Sequence, residues 1–531
     1  MPSLPLFKKD QTPSQIMSAI LDRGPTLWDD LHPSDQGSLG VGKLRLVGVY
    51  DDGFPGTFML RTRIAGGRLT ARQLKVIAGV VNDMSVRLPG STEPERFAEI
   101  TTRQNFQIHW IRFENLPEIW RRFSQAGLSS IEACGNSMRN ITACPVDGID
   151  EAGLFSVGPV LEELNAFAFD NQCLTGFLPR KFKVGVTACH SDCIVARVNC
   201  IAFTPARLKD SLGFNVHIGG GLSDYPRLAS STDLFVEPRN VVPTVKAALE
   251  VFVEFGDFQN SSINRFRAMV HELGAVRVEE EIRRRLHFDP EPAGEDLSSW
   301  TSEDHLGVHR AKDGSHYVGL CVPLGRLTGD ELEELAVLSE RYGDSQLRLT
   351  LRQNVILTGV KDVDGLIGEP LLSRLKPYPD PFERGVIACT SAPFCKFAIL
   401  AMKPYGAKLI DHLRNNVPEQ RWNRLEGLRI HMSGCKASCA QVALGHVGLR
   451  ATMGKDERSA FDAFDVALGG DAGAGRLARW VRGEVPAANA FDDITSLLTK
   501  IANGEAEISN LSSESWNWTG GTKPDSAVVT E

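Results

Sequence analysis

The sequence contains no long apolar segment. No apolar stretch approaches the roughly 20 residues that a helix needs to span a bilayer, so we predict no membrane anchor. The first residues, from Met1 to Lys9, also lack an apolar core that ends in a small-residue cleavage site, so secretion is not indicated. We therefore expect a cytoplasmic protein.

An excess of positive charge is absent as well. The formal net charge is −8 and the pI is near 5.9. A general nucleic-acid-binding protein carries a broad positive field, so no nucleic-acid partner is expected. Hydrophobic residues at 42% and charged residues at 23% are ordinary for a folded globular protein. A chain of 531 residues exceeds what one hydrophobic core usually organises, which predicts several domains.

A disulfide framework is not evident. The chain has 11 cysteines, and an odd number is more typical of a reducing compartment. Two pairs are close in sequence: Cys389 with Cys395, and Cys435 with Cys439. The remaining cysteines are Cys134, Cys144, Cys173, Cys189, Cys193, Cys200 and Cys321.

What the sequence does contain is a long internal repeat. Four short motifs recur in the same order at nearly constant offsets of 246 to 258 positions. The matches are Arg68-Leu69-Thr70 with Arg326-Leu327-Thr328, Arg103-Gln104-Asn105 with Arg352-Gln353-Asn354, Cys189-x3-Cys193 with Cys435-x3-Cys439, and Phe214 to Gly220 with Phe464 to Gly470. Such a series indicates a tandem duplication of roughly 250 residues per copy.

Strand and helix patterns alternate within each copy. Phe106 to Phe113 alternates as a strand does, and Pro117 to Ala126 reads as a short amphipathic helix. Leu332 to Tyr342 has helical spacing and Leu428 to Met432 is strand-like. The mixture predicts an α+β fold with mostly antiparallel pairing. We expect boundaries near residues 45, 125, 295 and 380, and a linker over Asp289 to Ser299.

The four cysteines of the second copy are candidate metal ligands. Iron–sulfur clusters are most commonly held by four thiolates. If Cys435 begins a helix, Cys439 lies on the same face of that helix one turn later. Helix N-termini near both cysteine pairs would place backbone N–H groups against the thiolates. A zinc site or inert thiols are the alternatives. Zinc pairs usually enclose two to four residues, whereas Cys389 and Cys395 enclose five.

This Cys-x5-Cys and Cys-x3-Cys arrangement, in the second of two repeats, resembles the siroheme-dependent sulfite and nitrite reductase family over roughly residues 45 to 510. The resemblance implies a tandem duplication of a ferredoxin-like half-domain plus a larger mixed α/β siroheme- and cluster-binding domain, with a pseudo-twofold axis. The implied divisions are an N-terminal extension over 1–45, half-domain 1 over 46–125, siroheme and substrate domain 1 over 126–290, half-domain 2 over 300–375, cluster and siroheme domain 2 over 380–508, and a flexible tail over 509–531.

The resemblance also implies cofactors and their ligands. By it, Cys389, Cys395, Cys435 and Cys439 bind a [4Fe–4S] cluster, and Cys439 also bridges to the siroheme iron. The family usually shows Gly-Cys-Pro-Asn at the second pair, where this chain has Gly434-Cys435-Lys436-Ala437. The departure changes the turn but keeps every thiolate.

A polycarboxylate cofactor and an oxyanion substrate require clustered cations. Basic motifs in the first copy match the family in order and spacing. The resemblance assigns Arg61, Arg139, Lys181 and Lys183 to anion binding and catalysis. It assigns Arg103, Gln107, His109, Arg180 and Asn199 to siroheme contacts. For any one motif the ordinary alternative is a solvated face, and for His109 it is a half-buried strand histidine.

The implied reaction is the six-electron reduction of sulfite to sulfide, with nitrite to ammonia as the alternative. Nitrite enzymes of the family typically resemble Arg-Lys-Phe-Asn where this chain reads Arg180-Lys181-Phe182-Lys183. A second ammonium suits the sulfite dianion better on Coulomb grounds, which favours sulfite. A precorrin monooxygenase-like enzyme without siroheme, and a non-catalytic zinc or cluster scaffold, are further alternatives.

No flavin or nicotinamide domain fits the remaining length, so we expect electrons from a ferredoxin or a separate flavoprotein. We also expect a monomer. Gly473-x-Gly475-x-x-Ala478 lacks the context of a dinucleotide fingerprint. The cysteines of the first copy leave open a second cluster, a decayed duplicate or inert thiols. Whether Trp516 and Trp518 take part in docking is also open.

Overall fold

A computed structural model describes residues 11–23, 39–86, 96–260, 263–301, 303–456, 459–512 and 522. Trp516 and Trp518 lie outside the described residues, as does most of the proposed tail. The strands, numbered in chain order, are β1 Val49–Asp51, β2 Thr57–Arg61, β3 Arg68–Thr70, β4 Phe97–Ile100, β5 Phe106–Arg112, β6 Thr142–Ala143, β7 Val184–Val186, β8 Ile201–Leu208, β9 Ser211–Ile218, β10 Ser230–Val236, β11 Glu295–Asp296, β12 Gly307–Arg310, β13 His316–Leu320, β14 Arg326–Thr328, β15 Gln346–Leu349, β16 Val355–Val360, β17 Val386–Ala388, β18 Ile430–Ser433, β19 Val447–Lys455, β20 Ala460–Leu468 and β21 Arg479–Pro486.

Helices accompany these strands in both copies. They are α1 Pro13–Arg23, α2 Leu39–Leu46, α3 Ala71–Met84, α4 Leu116–Gln125, α5 Gly158–Asp170, α6 Gln172–Thr175, α7 Val241–Phe255, α8 Phe266–Leu273, α9 Ala275–Arg283, α10 Gly329–Tyr342, α11 Val363–Ile367, α12 Pro381–Gly385, α13 Met402–Asn416 and α14 Ala487–Asn503. None of those described is long and apolar enough to cross a membrane.

Two small sheets exchange one strand with each other. The first has the order β1-β2-β5-β4-β14 and the second β12-β13-β16-β15-β3. Strand β14 of the second copy therefore completes the sheet of the first copy, where Leu327 lies opposite Ala98. Strand β3 of the first copy completes the other sheet, where Leu69 lies opposite Leu347. The exchanged strands are the recurring Arg-Leu-Thr motifs of the sequence.

Each exchanged strand leads directly into a helix. Thr70 caps α3 and Thr328 caps α10, each in a capping box with the residue three positions later, Gln73 or Glu331. The apolar faces of the two helices and the inner faces of both small sheets join in one hydrophobic core. The two half-domains thus form a single packed body.

The two larger sheets share one topology. The orders are β6-β7-β8-β9-β10 and β17-β18-β19-β20-β21, and in each the first three strands are parallel and the rest antiparallel. The α+β duplication predicted from the sequence is confirmed. One detail differs: the expected linker over 289–299 includes β11, which pairs with β8 because its backbone continues the hydrogen bonds of that strand.

Candidate functional site

The four cysteines of the second copy lie at one edge of the last sheet. Cys389 directly follows β17 and Cys435 comes two residues after β18. Because these strands are parallel neighbours, their carboxyl ends meet at the same edge. The Gly434 N–H donates a hydrogen bond to the Cys389 sulfur at 3.2 Å, which links the two loops.

The helices expected at the two cysteine pairs do not form, and that prediction is wrong. Cys395 and Cys435 lie in turns, and α13 begins only at Met402. Around Cys395 the backbone forms consecutive turns: the Cys395 N–H donates to the Ser391 carbonyl at 2.9 Å, and the Ala398 N–H donates to the Cys395 carbonyl at 3.0 Å. The Ala437 N–H points to the Cys435 sulfur at 3.5 Å. Turn amides, and not helix termini, face the sulfurs.

Burial and mutual proximity disfavour free thiolates here. Burial raises the pKa of Cys389, and the Cys439, Cys435 and Cys395 thiols raise it further. Burial also raises the pKa of Cys435 to about 11, with Cys439 and Cys395 adding to the effect. The four sulfurs therefore lie within electrostatic reach of each other. A bound cation is needed to keep such thiols deprotonated.

A group of seven cations lines the first-copy side of the site. Its members are Arg61, Arg103, Arg139, Arg180, Lys181, Lys183 and Arg265. Among the described residues, no carboxylate forms an ion pair with any of them, although carboxylates pair with many other cations of the chain. Arg265 is buried and the other six are half-buried. Partly desolvated charges without carboxylate partners are costly, so the group favours a bound anion.

Burial and mutual repulsion shift the pKa values of this cationic group. Burial, then Arg265 and Arg139, lower the pKa of Lys181 to about 7. Burial, then Arg103 and Arg265, lower the pKa of Lys183 well below its usual value. Burial, then Arg139, lower the pKa of Arg103 to about 9. An entering anion reverses these shifts because it stabilises the charged forms.

The cationic group adjoins the cysteine loop. Thr102 donates its hydroxyl hydrogen to the Cys439 carbonyl at 2.8 Å. Its neighbour Arg103 donates to Asn199 Oδ1 at 2.9 Å and to the Asn140 carbonyl at 2.6 Å. Gly53 also lies against the cysteine loop, where a Cβ atom would come 2.3 Å from the Pro393 carbonyl oxygen. Loops of the first copy thus close over the cysteines of the second.

A hydrogen-bonded chain leads away from Arg61. Arg61 Nε donates to Gln107 Oε1 at 3.1 Å, and Gln107 Nε2 donates to the Thr390 hydroxyl at 2.8 Å. The Thr390 hydroxyl donates to Glu99 Oε2 at 2.5 Å. Although burial opposes it, Lys403 and Arg326 hold the pKa of Glu99 well below its usual value. The chain connects the cationic group to a buried carboxylate beside Cys389.

His109 lies between two carboxylates, Asp52 and Glu99, and is not one of the seven cations of the cationic group. Its Nδ1 lies 2.9 Å from Asp52 Oδ1 and its Nε2 lies 3.7 Å from Glu99 Oε2. Burial opposes protonation, but Asp52 and Glu99 raise the pKa of His109 to about 9. The ring also packs on Phe394 with centroids 4.5 Å apart. Its assignment as a siroheme contact stays a prediction.

Three residues of the site were missed from the sequence. Arg265 is 8% exposed and joins the cationic group, while Glu99 and Thr390 form the hydrogen-bonded chain. Arg265 had a signal, since Arg265-Phe266-Arg267 repeats the alternating basic pattern of Arg61-Thr62-Arg63. Glu99 and Thr390 had none, because their meeting depends on contact between the two copies.

Comparisons with known families match both parts of the chain. The "Nitrite/Sulfite reductase ferredoxin-like half domain" matches residues 53–126 and 309–368. The "Nitrite and sulphite reductase 4Fe-4S domain" matches residues 134–289, which is the first of the two larger sheets with its helices. The four-cysteine set lies outside that match, in the second sheet of the same topology.

Whole proteins of this kind are also similar. The assimilatory ferredoxin-dependent nitrite reductase of Haloferax mediterranei is 34% identical over 494 residues, covering 88% of this chain and 84% of that protein. This chain belongs to the nitrite and sulfite reductase family. The ferredoxin–nitrite reductase of Synechococcus elongatus is 33% identical over 457 residues, covering 84% of this chain and 86% of that protein. The Mycobacterium tuberculosis NirA protein has a similar structure, with a TM-score of 0.84 and 25% identity over 94% of this chain and 93% of its own.

As a family member, the chain is an oxidoreductase with siroheme and a [4Fe–4S] cluster as cofactors. The residues present fit both groups. Four neighbouring cysteine thiols suit a cubane cluster. Clustered, mostly half-buried cations that form no ion pair among the residues described suit a macrocycle that bears many carboxylates.

Proposed function

We propose that the chain reduces nitrite to ammonia in six one-electron steps, with electrons from a ferredoxin. The observation that supports the site is the cluster of seven cations, six half-buried and one buried, beside the Cys439 loop. The substrate and donor rest on the relatives, which are named ferredoxin-dependent nitrite reductases. They favour nitrite, the alternative in the sequence analysis, over sulfite. The cytoplasmic location and the monomeric state stay predictions.

We propose that Cys389, Cys395, Cys435 and Cys439 would hold the cluster, and that Cys439 would also hold the siroheme iron. Arg103, Gln107, Arg180 and Asn199 are proposed to bind siroheme carboxylates and amides, as is His109 by resemblance. When bound, the two groups supply single-electron chemistry at the substrate atom. Arg103 is already oriented for this role by Asn199 and the Asn140 carbonyl.

Arg61, Arg139, Lys181 and Lys183 are proposed to bind the substrate oxygens and supply protons. Each electron added to nitrite makes its oxygens more basic, so protons must follow before water can leave. Lys181 suits a proton donor, because burial and Arg265 bring its pKa to about 7. The arginines stay charged and stabilise the negative charge that develops on oxygen. The hydrogen-bonded chain from Arg61 through Gln107 and Thr390 to Glu99 fixes the Arg61 guanidinium.

Sulfite is the second candidate, because Lys183 is the last residue of the motif Arg180-Lys181-Phe182-Lys183, where nitrite enzymes of the family typically resemble Arg-Lys-Phe-Asn. Its ammonium adds a charge that favours a dianion. Both activities use the same cofactors and the same cations. Turnover measurements, and not cofactor content, therefore distinguish nitrite from sulfite as the substrate.

Steady-state turnover of the holoenzyme with reduced methyl viologen tests the proposal. We expect kcat/KM for nitrite to exceed that for sulfite by about tenfold or more, which corresponds to about 1.4 kcal/mol of transition-state stabilisation. A higher value for sulfite would refute the nitrite assignment. The visible spectrum is the control, since intense tetrapyrrole bands separate a siroheme reductase from a cluster-only enzyme.

A further inference from the structure

A second group of metal-ligating side chains lies outside the active site. Cys144, Cys193 and His305 have ligand atoms that all lie within 4.8 Å of one another, and all three residues are buried. The sulfurs of Cys144 and Cys193 are 3.4 Å apart. Cys189, also buried, lies within electrostatic reach of both thiols, and its own sulfur points to the Ala152 carbonyl. Two sulfurs and one imidazole therefore converge on one point, and the Cys189 thiol is the neighbour that can complete a set of four.

The His305 ring makes an edge-on contact with Tyr317, with centroids 6.3 Å apart. His305 is 4% exposed, and neither ring nitrogen has a hydrogen-bond partner among the residues described. A buried imidazole without partners is costly unless something binds it. The backbone holds it in place. Asp304 makes a bidentate ion pair with Arg384 at 2.6 and 2.8 Å, and His305 itself takes the left-handed conformation with φ of 57°.

We propose that Cys144, Cys189, Cys193 and His305 bind one Zn²⁺ ion. Zinc prefers four tetrahedral ligands of this kind, and Cys189 and Cys193 enclose three residues, within the usual spacing. Zn–S bonds of about 2.3 Å place two sulfurs of a tetrahedron roughly 3.7 Å apart, close to the distance observed here. Soft thiolates together with imidazole select zinc over hard cations.

The spacing argues against a second iron–sulfur cluster. In a cubane cluster each cysteine binds a different iron. The cysteine sulfurs around a cubane must therefore lie further apart than those around a single ion. The Cys144 and Cys193 sulfurs, 3.4 Å apart, are too close to each other for ligands of two different irons of a cubane. The first copy also lacks a fourth thiol, because Asp150 stands six positions after Cys144 where Cys395 stands six after Cys389.

The two sites occupy equivalent places in the duplicated fold. Cys144 directly follows β6 as Cys389 follows β17, and Cys189 comes after β7 as Cys435 comes after β18. His305 is different, because it comes from the segment that leads into β12 of the second copy. Gly319 of β13 permits this approach, since a Cβ atom there would lie 1.8 Å from the His305 carbonyl oxygen. A zinc ion at this site would thus link the cysteine loops of the first copy to the segment before β12 of the second copy.

Metal analysis of the purified holoenzyme tests the proposal independently of substrate turnover. We expect about one zinc per chain in addition to the iron of the cofactors, and loss of that zinc in Cys193→Ser and His305→Ala with the siroheme spectrum retained. Cys321→Ser is the matched control, because Cys321 is a buried thiol that donates to the Glu383 carbonyl and belongs to neither site. It should keep its zinc.

X-ray absorption at the zinc edge of the wild-type enzyme needs no folded variant. Three sulfurs at about 2.3 Å and one nitrogen at about 2.0–2.1 Å are expected. A zinc-free wild-type enzyme or a shell of oxygen atoms would overturn the proposal. Extra iron that disappears in Cys193→Ser, or a Cys144–Cys193 disulfide found by mass spectrometry in freshly purified enzyme, would overturn it as well.

Discussion

At the scale of single residues, the active site is distinguished by a cluster of cations that form no ion pair with a carboxylate of the described chain. Elsewhere, buried cations such as Arg63 and Lys403 have carboxylates: Arg63 lies 3.6 Å from Glu132, and Lys403 lies 3.6 Å from Glu99. The active-site cations instead face one another, and burial lowers the pKa values of Lys181 and Lys183. The anion that enters restores their charge, so ligand binding and proton uptake are coupled.

Lys183→Asn tests the residue that separates the two candidate substrates. Removing this ammonium should lower kcat/KM for sulfite about tenfold more than that for nitrite, because a dianion loses more Coulomb energy than a monoanion. Turnover with methyl viologen on both substrates measures the ratio. Lys209→Asn, at an exposed turn, is the control and should leave it unchanged. An unaltered ratio in Lys183→Asn removes the link between this position and specificity.

His109 gives the protein a pH-dependent contribution to stability. Its pKa in the folded state is raised to about 9 by Asp52 and Glu99 despite burial, above the ordinary value near 6.5. The contribution is therefore complete below about pH 6.5 and is lost as pH rises through 9; it amounts to up to about 3 kcal/mol. The difference in unfolding free energy between wild type and His109→Gln should shrink over that interval. A difference independent of pH would contradict the assignment.

How far single residues could be predicted depends on what they contact. The thiols and the basic motifs of the first copy could be proposed because each carries its chemistry in a short segment. Glu99 could not, since its partners Thr390, Arg326 and Lys403 come from the other copy. The roles of the proposed ligands, and the domain boundaries, stay predictions.

At the scale of elements, the reciprocal strand exchange holds the half-domains together. The repeat and the helices that follow it could be predicted from the sequence, because motif spacing and capping residues are local signals. The order of the strands could not. Arg326 pairs with Glu99 across 227 positions, and periodicity contains no information about partners so distant. The missing helices at the cysteines show the same limit, since sulfur acceptors there replace helix carbonyls.

Leu327→Ala should destabilise both half-domains together. Leu327 is 1% exposed in β14 and packs in the core that α3 and α10 share. Truncating it leaves a cavity that costs about 2–5 kcal/mol. Leu69→Ala in β3 should cost a similar amount, because the exchange is reciprocal. Calorimetry should show one transition shifted downward in both variants, whereas Leu212→Ala, at 37% exposure, should have little effect. Separate transitions for the two halves would contradict a shared core.

At the scale of the whole molecule, the proposed ferredoxin donor must dock on a chain of negative net charge, and we propose a docking surface that favours an anionic donor. The net charge of −8 opposes such an encounter, so attraction requires a local basic surface. Lys396 and Lys436 are exposed on the loops that carry Cys395 and Cys435. Phe397, the next residue after Lys396, is 57% exposed and adds an apolar side chain. We call Lys396, Phe397 and Lys436 the cluster-loop surface.

The combined change Lys396→Glu and Lys436→Glu tests this surface as the donor site. Reversing two charges should raise the KM for ferredoxin about tenfold and flatten its dependence on salt, because steering and docking both lose attraction. Turnover with methyl viologen, a small donor that needs no docking surface, should be unchanged. Lys361→Glu, exposed on the second half-domain, is the matched control. If both donors lose activity equally, the lysines support the cluster itself; if neither does, ferredoxin docks elsewhere.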